Sequence, residues 1–330
     1  MTSEQIKVVT NASQLFEALN SVLNADKQFS GSMHWKNING NEYLYRGYTG
    51  GKTHSLGVKN QKTEDIKNKF DAAKKEHQKN KMHLKEQMKI HGGYIRINKL
   101  NRFPTIGANV IRLFQSNEIP IKIIGTNALY AYEISSGVLF LPENIATDDL
   151  DFLLDSRQSL QIVSKLKKRT ILSLLKEADT SFKKLTDSPY EFAVSNKNGF
   201  RIELVTQENS DLSNPNLFYN QLEAEDIKPQ GTGSLKWLIA SPKYKETVFD
   251  YQGNPLILDT VHPVAYAIHK YYIGNFERAK PAKRRKDLLQ FKILGTLLNN
   301  EFGYLPIPES IKKLFPDSIV SKVNTGNKTN

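Results

Sequence analysis

Apolar residues along the chain recur with two periods, and the changes between them mark the elements. Ser13 to Leu23 carries them at helical spacing. Met33 to Ile38 and Glu42 to Tyr48 flank Asn39-Gly40, the dipeptide that most favours a tight hairpin turn, so these segments predict two paired strands. Gly47 to Gly57 reads as a loop. From Lys62 to about His91 the apolar positions Ile66, Phe70, Ala73, Leu84 and Met88 form one narrow stripe in an otherwise charged segment, which predicts a long helical arm with a thin packing seam. Gly92-Gly93 is expected to end that arm. Pro104 to Asn117 predicts a further helix packing through Ile106, Val110, Ile111 and Leu113.

The centre of the chain changes character. Pro120 to Ile124 is a short apolar strand that runs into Gly125-Thr126-Asn127, and a helix follows over Ala128 to Ile134. Asp151 to Leu154 predicts a second buried strand and Ser164 to Asp179 a helix. Tyr190 to Ser195 and Phe200 to Val205 predict strands turning at Asn198-Gly199. Thr247 to Tyr251 and Pro255 to Leu258 flank Gly253-Asn254, after which His262 to Tyr272 and Ala282 to Leu298 read as helices. The tail from Asp317 is polar and expected to fray. Strand and helix patterns mixed in this way predict an α+β chain.

With 330 residues the chain exceeds the usual single-domain size, so two or three packed units are expected. Cysteine is absent, which excludes disulfides, thiolate zinc sites and cysteine nucleophiles; any metal must sit on oxygen or imidazole. The histidines do not form a metal set: His77, His83 and His91 lie along the arm, and only His269 invites a test. No export signal or membrane-length apolar run is legible, and a cytoplasmic location is expected. The net charge of +12 favours a polyanionic partner. From Lys59 to Arg102 thirteen Lys or Arg stand against five acids, and Arg278, Lys280, Lys283, Arg284, Arg285 and Lys286 form a second cluster. Both clusters also fit plain solvated helix faces.

Chemistry concentrates in three ordered features. A strand ends in Gly125-Thr126, then comes Thr147-Asp148-Asp149-Leu150-Asp151-Phe152, then Arg201-Ile202-Glu203-Leu204. Alternate residues of a strand share a face, so Asp149 and Asp151 project together while Leu150 and Phe152 point into the core. Asp148 is the competing register, but only Asp149 with Asp151 has the right parity and leaves Leu150 buried. Close carboxylates repel unless a cation or proton lies between them, and magnesium suits an all-oxygen site beside phosphates. Glu203 would add a third donor on a neighbouring strand; its structural alternative is an ion pair with Arg201 or a lysine. Gly125 lets the backbone approach phosphate oxygens at a helix start, and Thr126 can add a hydroxyl.

These residues resemble the DNA-polymerase-β-type nucleotidyltransferase superfamily, whose pattern is a Gly-Gly/Ser turn, an Asp-h-Asp/Glu pair and a third acid on a later strand. Gly125-Thr126, Asp149-Leu150-Asp151 and Glu203 match in order. The wording from Ile124 to Glu133 and from Ala146 to Asp151 is similar to a bacterial group of nucleotidyltransferase fold proteins, and the similarity extends to Tyr43-Leu44-Tyr45-Arg46 and to His262 through Asp287. Two departures stand out: Thr126 where Gly or Ser is preferred, and Glu203 where Asp is commoner.

The resemblance implies a nucleotidyltransferase-type mixed sheet at residues 118–210, flanked by an N-terminal hairpin and basic helical arm at 1–117. A C-terminal, mainly helical region at 211–330 would close the nucleotide cleft. It implies transfer of a nucleoside monophosphate from an NTP such as ATP to a hydroxyl acceptor, RNA or tRNA or protein. Asp149, Asp151 and Glu203 would serve as catalytic and metal-binding residues for two Mg2+ ions, with Mn2+ as the alternative. Gly125, Thr126, Lys270, Arg284 and Lys286 would contact the nucleotide, and Asp287 could pair one turn back with Lys283 or Arg284. A place in a toxin–antitoxin or defence pair, with an antitoxin-like partner, follows from the same resemblance. The rival reading is a non-catalytic nucleic-acid-binding protein that keeps this fold.

Overall fold

The computed structural model describes residues 1–167, 169–185, 192–208, 226–300 and 307–326. Two compact units emerge: residues 2–100 with 253–255, and Met1 with 101–252 and 256–330.

In the smaller unit α1 (Ser3–Ala25) starts ten residues before the stretch expected from periodicity, because Thr2 and Gln5 form a reciprocal capping box and Val8, Val9, Ala12 and Leu19 are buried along one face. β1 (Ser32–Ile38) and β2 (Asn41–Gly47) form the expected antiparallel hairpin, with Asn39 and Gly40 both at positive φ. The segment Gly47 to Gly57, expected as a loop, contains β3 (Thr53–Val58) paired with β2. Its glycines and polar residues hide the strand from a periodicity reading. The ladder to β2 supplies what local preference lacks.

α2 (Gln61–Ile97) is capped by Asn60 and runs straight through Gly92-Gly93, so those glycines do not end it. They serve packing. A Cβ on Gly92 would sit 3.1 Å from the carbonyl oxygen of Gly253, itself at φ +80°. The helix stops at Asn98, just before Lys99 turns left-handed. Met88 and Ile95 are buried and Phe70 and Leu84 half-buried, whereas Ile66 and Ala73 of the expected seam are exposed. His77 supports the seam through Asp26, 2.8 Å away.

The larger unit holds the main sheet. Its elements are α3 (Thr105–Ser116), β4 (Lys122–Ile124), a 3-10 turn over Gly125–Ala128, α4 (Leu129–Ser136), α5 (Pro142–Ile145) and β5 (Asp149–Leu154). Next come α6 (Ser159–Leu166), α7 (Ile171–Ala178), β6 (Lys183–Lys184), β7 (Ala193–Ser195) and β8 (Arg201–Gln207). The single helix expected over Ser164 to Asp179 is two, because Lys167 turns left-handed at the end of α6 and Thr170 caps α7. Tyr190 and Glu191, the start of an expected strand, lie outside the described residues.

β9 (Gln230–Thr232), α8 (Leu235–Ala240), β10 (Lys243–Phe249) and β11 (Pro255–Val261) follow, then α9 (Pro263–Tyr272), a π-helical turn over Ile273–Glu277, and α10 (Pro281–Asn300). The sheet runs β10-β11-β4-β5-β8-β7-β6, with β9 beside the end of β8. β4 is antiparallel to β5, and β5 is parallel to β8. The fold is therefore α+β with a mixed sheet. Leu150, Phe152, Ile202 and Leu204 are fully buried on one face, and the Phe152 ring meets Phe114 of α3 at 5.0 Å between centroids. The tail from Asp317, expected to fray, forms α12 (Asp317–Gly326) after α11 (Glu309–Lys312), with Ile319, Val320 and Val323 buried. No helix among the described residues is long and apolar enough to cross a membrane.

Candidate active site at the Gly125 turn

The site begins where β4 ends. Gly125 has φ +67°, and a Cβ there would lie 1.8 Å from Asp151 Oδ2, so only glycine fits this turn. Three side-chain hydrogen bonds hold the turn: Tyr266 donates to the Gly125 carbonyl at 2.5 Å, Gln290 donates to Thr126 Oγ1 at 3.2 Å, and Asn127 donates to the Asp149 carbonyl at 2.5 Å. The first two come from α9 and α10, so the helical end of the chain holds the turn against the sheet.

Register brings the acids together. Ile124 pairs with Asp151 across β4 and β5, and Asp149 and Asp151 stand opposite Arg201 and Glu203 across β5 and β8. All four side chains share the face opposite the buried Leu150 and Ile202, with Asp148 exposed and out of step. Thr147 donates its hydroxyl to Asp149 Oδ1, and Arg201 donates to Glu203 Oε1 at 3.1 Å. Each outer carboxylate is thus engaged by a neighbour. Among the described residues no three acidic or imidazole side chains are closed into a metal-ligand set.

A cavity of about 190 Å³ opens on this face, with Gly125, Asp151 and Glu203 on its sheet side and Ser234, Lys270 and Arg278 opposite. Its electrostatics centre on Asp151. Burial, then the charges of Asp149 and Glu203, push its pKa up to about 7, against the opposing pull of Lys270 and Arg278. Lys270 and Arg278 are held by Asp287, at 2.7 and 2.8 Å. Burial pushes the Asp287 carboxyl up, but the two cations outweigh it and hold the acid below its usual value. Burial lowers the Lys270 ammonium, with Asp287 opposing. Burial, with Lys270 adding to it, drops His269 to about 3, so the ring is neutral beside Ser234 Oγ at 3.2 Å.

Several sequence expectations change here. Asp287 pairs with Lys270 and Arg278, not with Lys283 or Arg284, because α9 and the π turn bring those cations to its face of α10. Arg284 and Lys286 are exposed on α10 and line neither this cavity nor the wider basin of about 590 Å³ at its mouth, where Arg201, Arg278, Lys280 and Lys283 stand instead. Thr126 is buried behind the turn and its hydroxyl accepts from Gln290, while Gly125 faces the cavity. Tyr266 and Gln290 were not singled out in the sequence, and Arg278 was read there only as a member of a basic cluster. One signal was legible: His269-Lys270 interrupts an otherwise apolar helix, and Tyr266, Lys270 and Ile273 fall on one helical face.

A mixed α+β sheet that presents acids in register beside a glycine turn, with a helical region facing them, has the architecture of a nucleotidyltransferase fold. A family model described as nucleotidyltransferase matches residues 110–315, more than half of the chain, and the chain belongs to that family. No curated protein and no solved structure matches it. The matched span begins within α3 and takes in the turn, the acids and both helices that pin them.

Proposed function

We propose that the chain transfers a nucleoside monophosphate from an NTP to a hydroxyl acceptor on RNA, tRNA or protein, with Mg2+ at Asp149, Asp151 and Glu203. The observation that carries this reading is Asp151. It lies against the Gly125 turn with two further acids in register on its face, and their repulsion and burial lift its pKa to about 7. A divalent cation would relieve that repulsion, and an all-oxygen donor set suits magnesium, with manganese second. Bound there, the ions would neutralise the triphosphate and the developing charge of transfer.

The chain's own residues do the positioning. Gly125 lets the backbone approach the phosphates, and Lys270 and Arg278, oriented by Asp287, offer positive charge across the cavity. Neutral His269 and Ser234 supply hydrogen bonds without charge. The acceptor hydroxyl gives up its proton to water and its oxygen forms a bond to the α-phosphorus as the bond to the pyrophosphate oxygen breaks and pyrophosphate leaves, a reaction governed by placement and electrostatics.

The test is transfer of label from α-labelled NTPs to cell-extract acceptors in the presence of magnesium. Label should appear with the wild type and be absent with Asp149→Ala plus Asp151→Ala. No transfer by the wild type with any NTP and either metal would overturn the reading. A non-catalytic nucleic-acid-binding role is favoured by one observation: Arg201 and Thr147 already engage the outer acids. It predicts RNA binding that survives the double substitution without any transfer. A place in a toxin–antitoxin or defence pair, with an antitoxin-like partner, rests on the resemblance and predicts growth arrest on expression that such a partner relieves.

A further inference from the structure

The smaller unit carries most of the molecule's net charge and an aromatic sheet face that its own helices leave open. Residues 2–100 hold seventeen Lys or Arg against nine Asp or Glu, a net +8 of the chain's +12. Lys62, Lys69, Lys75, Lys79, Lys85 and Lys89 are all exposed along α2. The three-stranded sheet beside α2 has two unlike faces. Leu44 is fully buried on one, where Arg46 stacks on Phe70 of α2 at 4.8 Å and Gly57 meets Thr63.

Strand parity places the opposite face. His34 pairs with Tyr45 and Lys36 with Tyr43, while Tyr43 faces Val58 and Tyr45 faces Ser55 across the next strand. One surface therefore presents His34, Lys36, Tyr43, Tyr45, Ser55 and Val58. His34, Lys36, Ser55 and Val58 are exposed and the two tyrosines half-exposed. The His34 and Tyr45 rings lie nearly parallel, 6.4 Å between centroids, and the Lys36 ammonium stands 5.7 Å from the Tyr45 ring. A sheet face meant only for solvent would carry threonine and charge here, whereas this one displays flat rings beside a cation.

We infer that this face is a binding platform for single-stranded nucleic acid, with Tyr43, Tyr45 and His34 stacking bases and Lys36 with the α2 lysines tracking the phosphates. Base stacking needs accessible ring faces on a rigid support, and alternate positions on one strand supply two of them about 6.6 Å apart. The charge selects the ligand. A unit of net +8 repels basic partners and gathers a polyanion, and the rings select unpaired bases over a duplex, whose bases are already stacked. The platform deepens the proposed transfer by naming a single-stranded nucleic acid as acceptor. Only that step depends on the transferase reading, since the binding surface contains none of the acids of the Gly125 site.

The experiment is fluorescence anisotropy of the full chain with labelled single-stranded RNA, single-stranded DNA of the same sequence and duplex RNA. Single strands should bind more tightly than duplex, with affinity falling steeply between about 50 and 200 mM salt. RNA and DNA arms decide which backbone is preferred. Tyr43→Ala and Tyr45→Ala should each weaken single-strand binding at least about fivefold. Tyr43→Phe plus Tyr45→Phe, which keeps the rings, should bind as wild type, and Lys36→Glu should weaken binding and flatten the salt dependence. Asp149→Ala plus Asp151→Ala should lose transfer yet keep single-strand binding that Tyr43→Ala or Tyr45→Ala still weakens, so loss of transfer and loss of binding separate. Wild-type affinity in the two alanine variants with unchanged melting curves, preference for duplex, or no binding by the wild type would overturn the platform. A protein docking surface would show as the first of these.

Discussion

Asp151 is costly to the fold and useful to the site for the same reason. Its carboxylate lies against a glycine turn, beside two other acids and under a covering of protein, so the ionised form is disfavoured, a cost that the proposed cation would relieve. Asp151→Asn keeps the shape and removes the charge. In metal-free buffer at pH 8 it should stabilise the protein by about 1–3 kcal/mol in urea unfolding while abolishing transfer. Destabilisation by the same change would show that Asp151 makes structural contacts worth more than its burial costs. Parity made this residue and Asp149 legible, because Leu150 and Phe152 needed the core. The pairing of Glu203 with Asp151 across β5 and β8 was legible only as a candidate, since no local rule says which strands become neighbours. Arg278 was hidden in a basic run, and its selection over Arg284 and Lys286 depends on which face of the π turn meets Asp287.

Elements here are set by their ends as much as by their stripes. α7 begins on Thr170, and its first amides also donate to a distant acid: Ile171 and Leu172 reach the two carboxylate oxygens of Asp226 at 2.8 and 3.0 Å, with Ile227 adding a third bond. Burial raises the Asp226 carboxyl despite these donors. Asp226→Ala would strand those amides in a buried place and should cost about 1–3 kcal/mol, read as a lower urea midpoint with an unchanged slope. A loss no larger than that of an exposed alanine substitution would mean that water replaces the carboxylate. Lys122 closes α8 in the complementary way, donating to the carbonyls of Leu238, Ile239 and Ser241 at 3.1–3.3 Å. Neither cap was visible in the sequence, because each partner lies far along the chain.

Across the whole molecule, buried groups of opposite kind shape the response to pH. Burial lifts Glu133 to about 7 although Arg102 lies 2.8 Å away, and Asp151 is lifted to about 7 as well. Each acid raised in the folded state binds a proton that the unfolded chain has already released, so stability falls as pH rises through that interval. His269, held near 3, acts with the opposite sign up to its unfolded value of about 6.5. His269 offsets about one of the two acids below about pH 6.5, and above it the loss from the acids dominates. Unfolding free energy should therefore drop on the order of 1–2 kcal/mol from about pH 6.5 to 8, and Asp151→Asn or millimolar magnesium should remove about half of that drop. A flat profile in the metal-free wild type would show that neither acid is raised.

Locally coded features came through from the amino-acid order alone: the Asn39-Gly40 hairpin, the basic arm, the parity of Asp149 and Asp151, the glycine turn after β4 and the α+β class. Each depends on interactions within a few residues, or on one face of one element needing the core. Tertiary structure decided what depends on distant partners. It threaded α2 through Gly92 because Gly253 packs there, made β3 a strand by pairing it with β2, and buried α12 by covering its apolar side. It also chose Lys270 and Arg278 to face the acids. Contacts between residues far apart in sequence form only once the whole chain packs, and a reading by local pattern has no access to that energy.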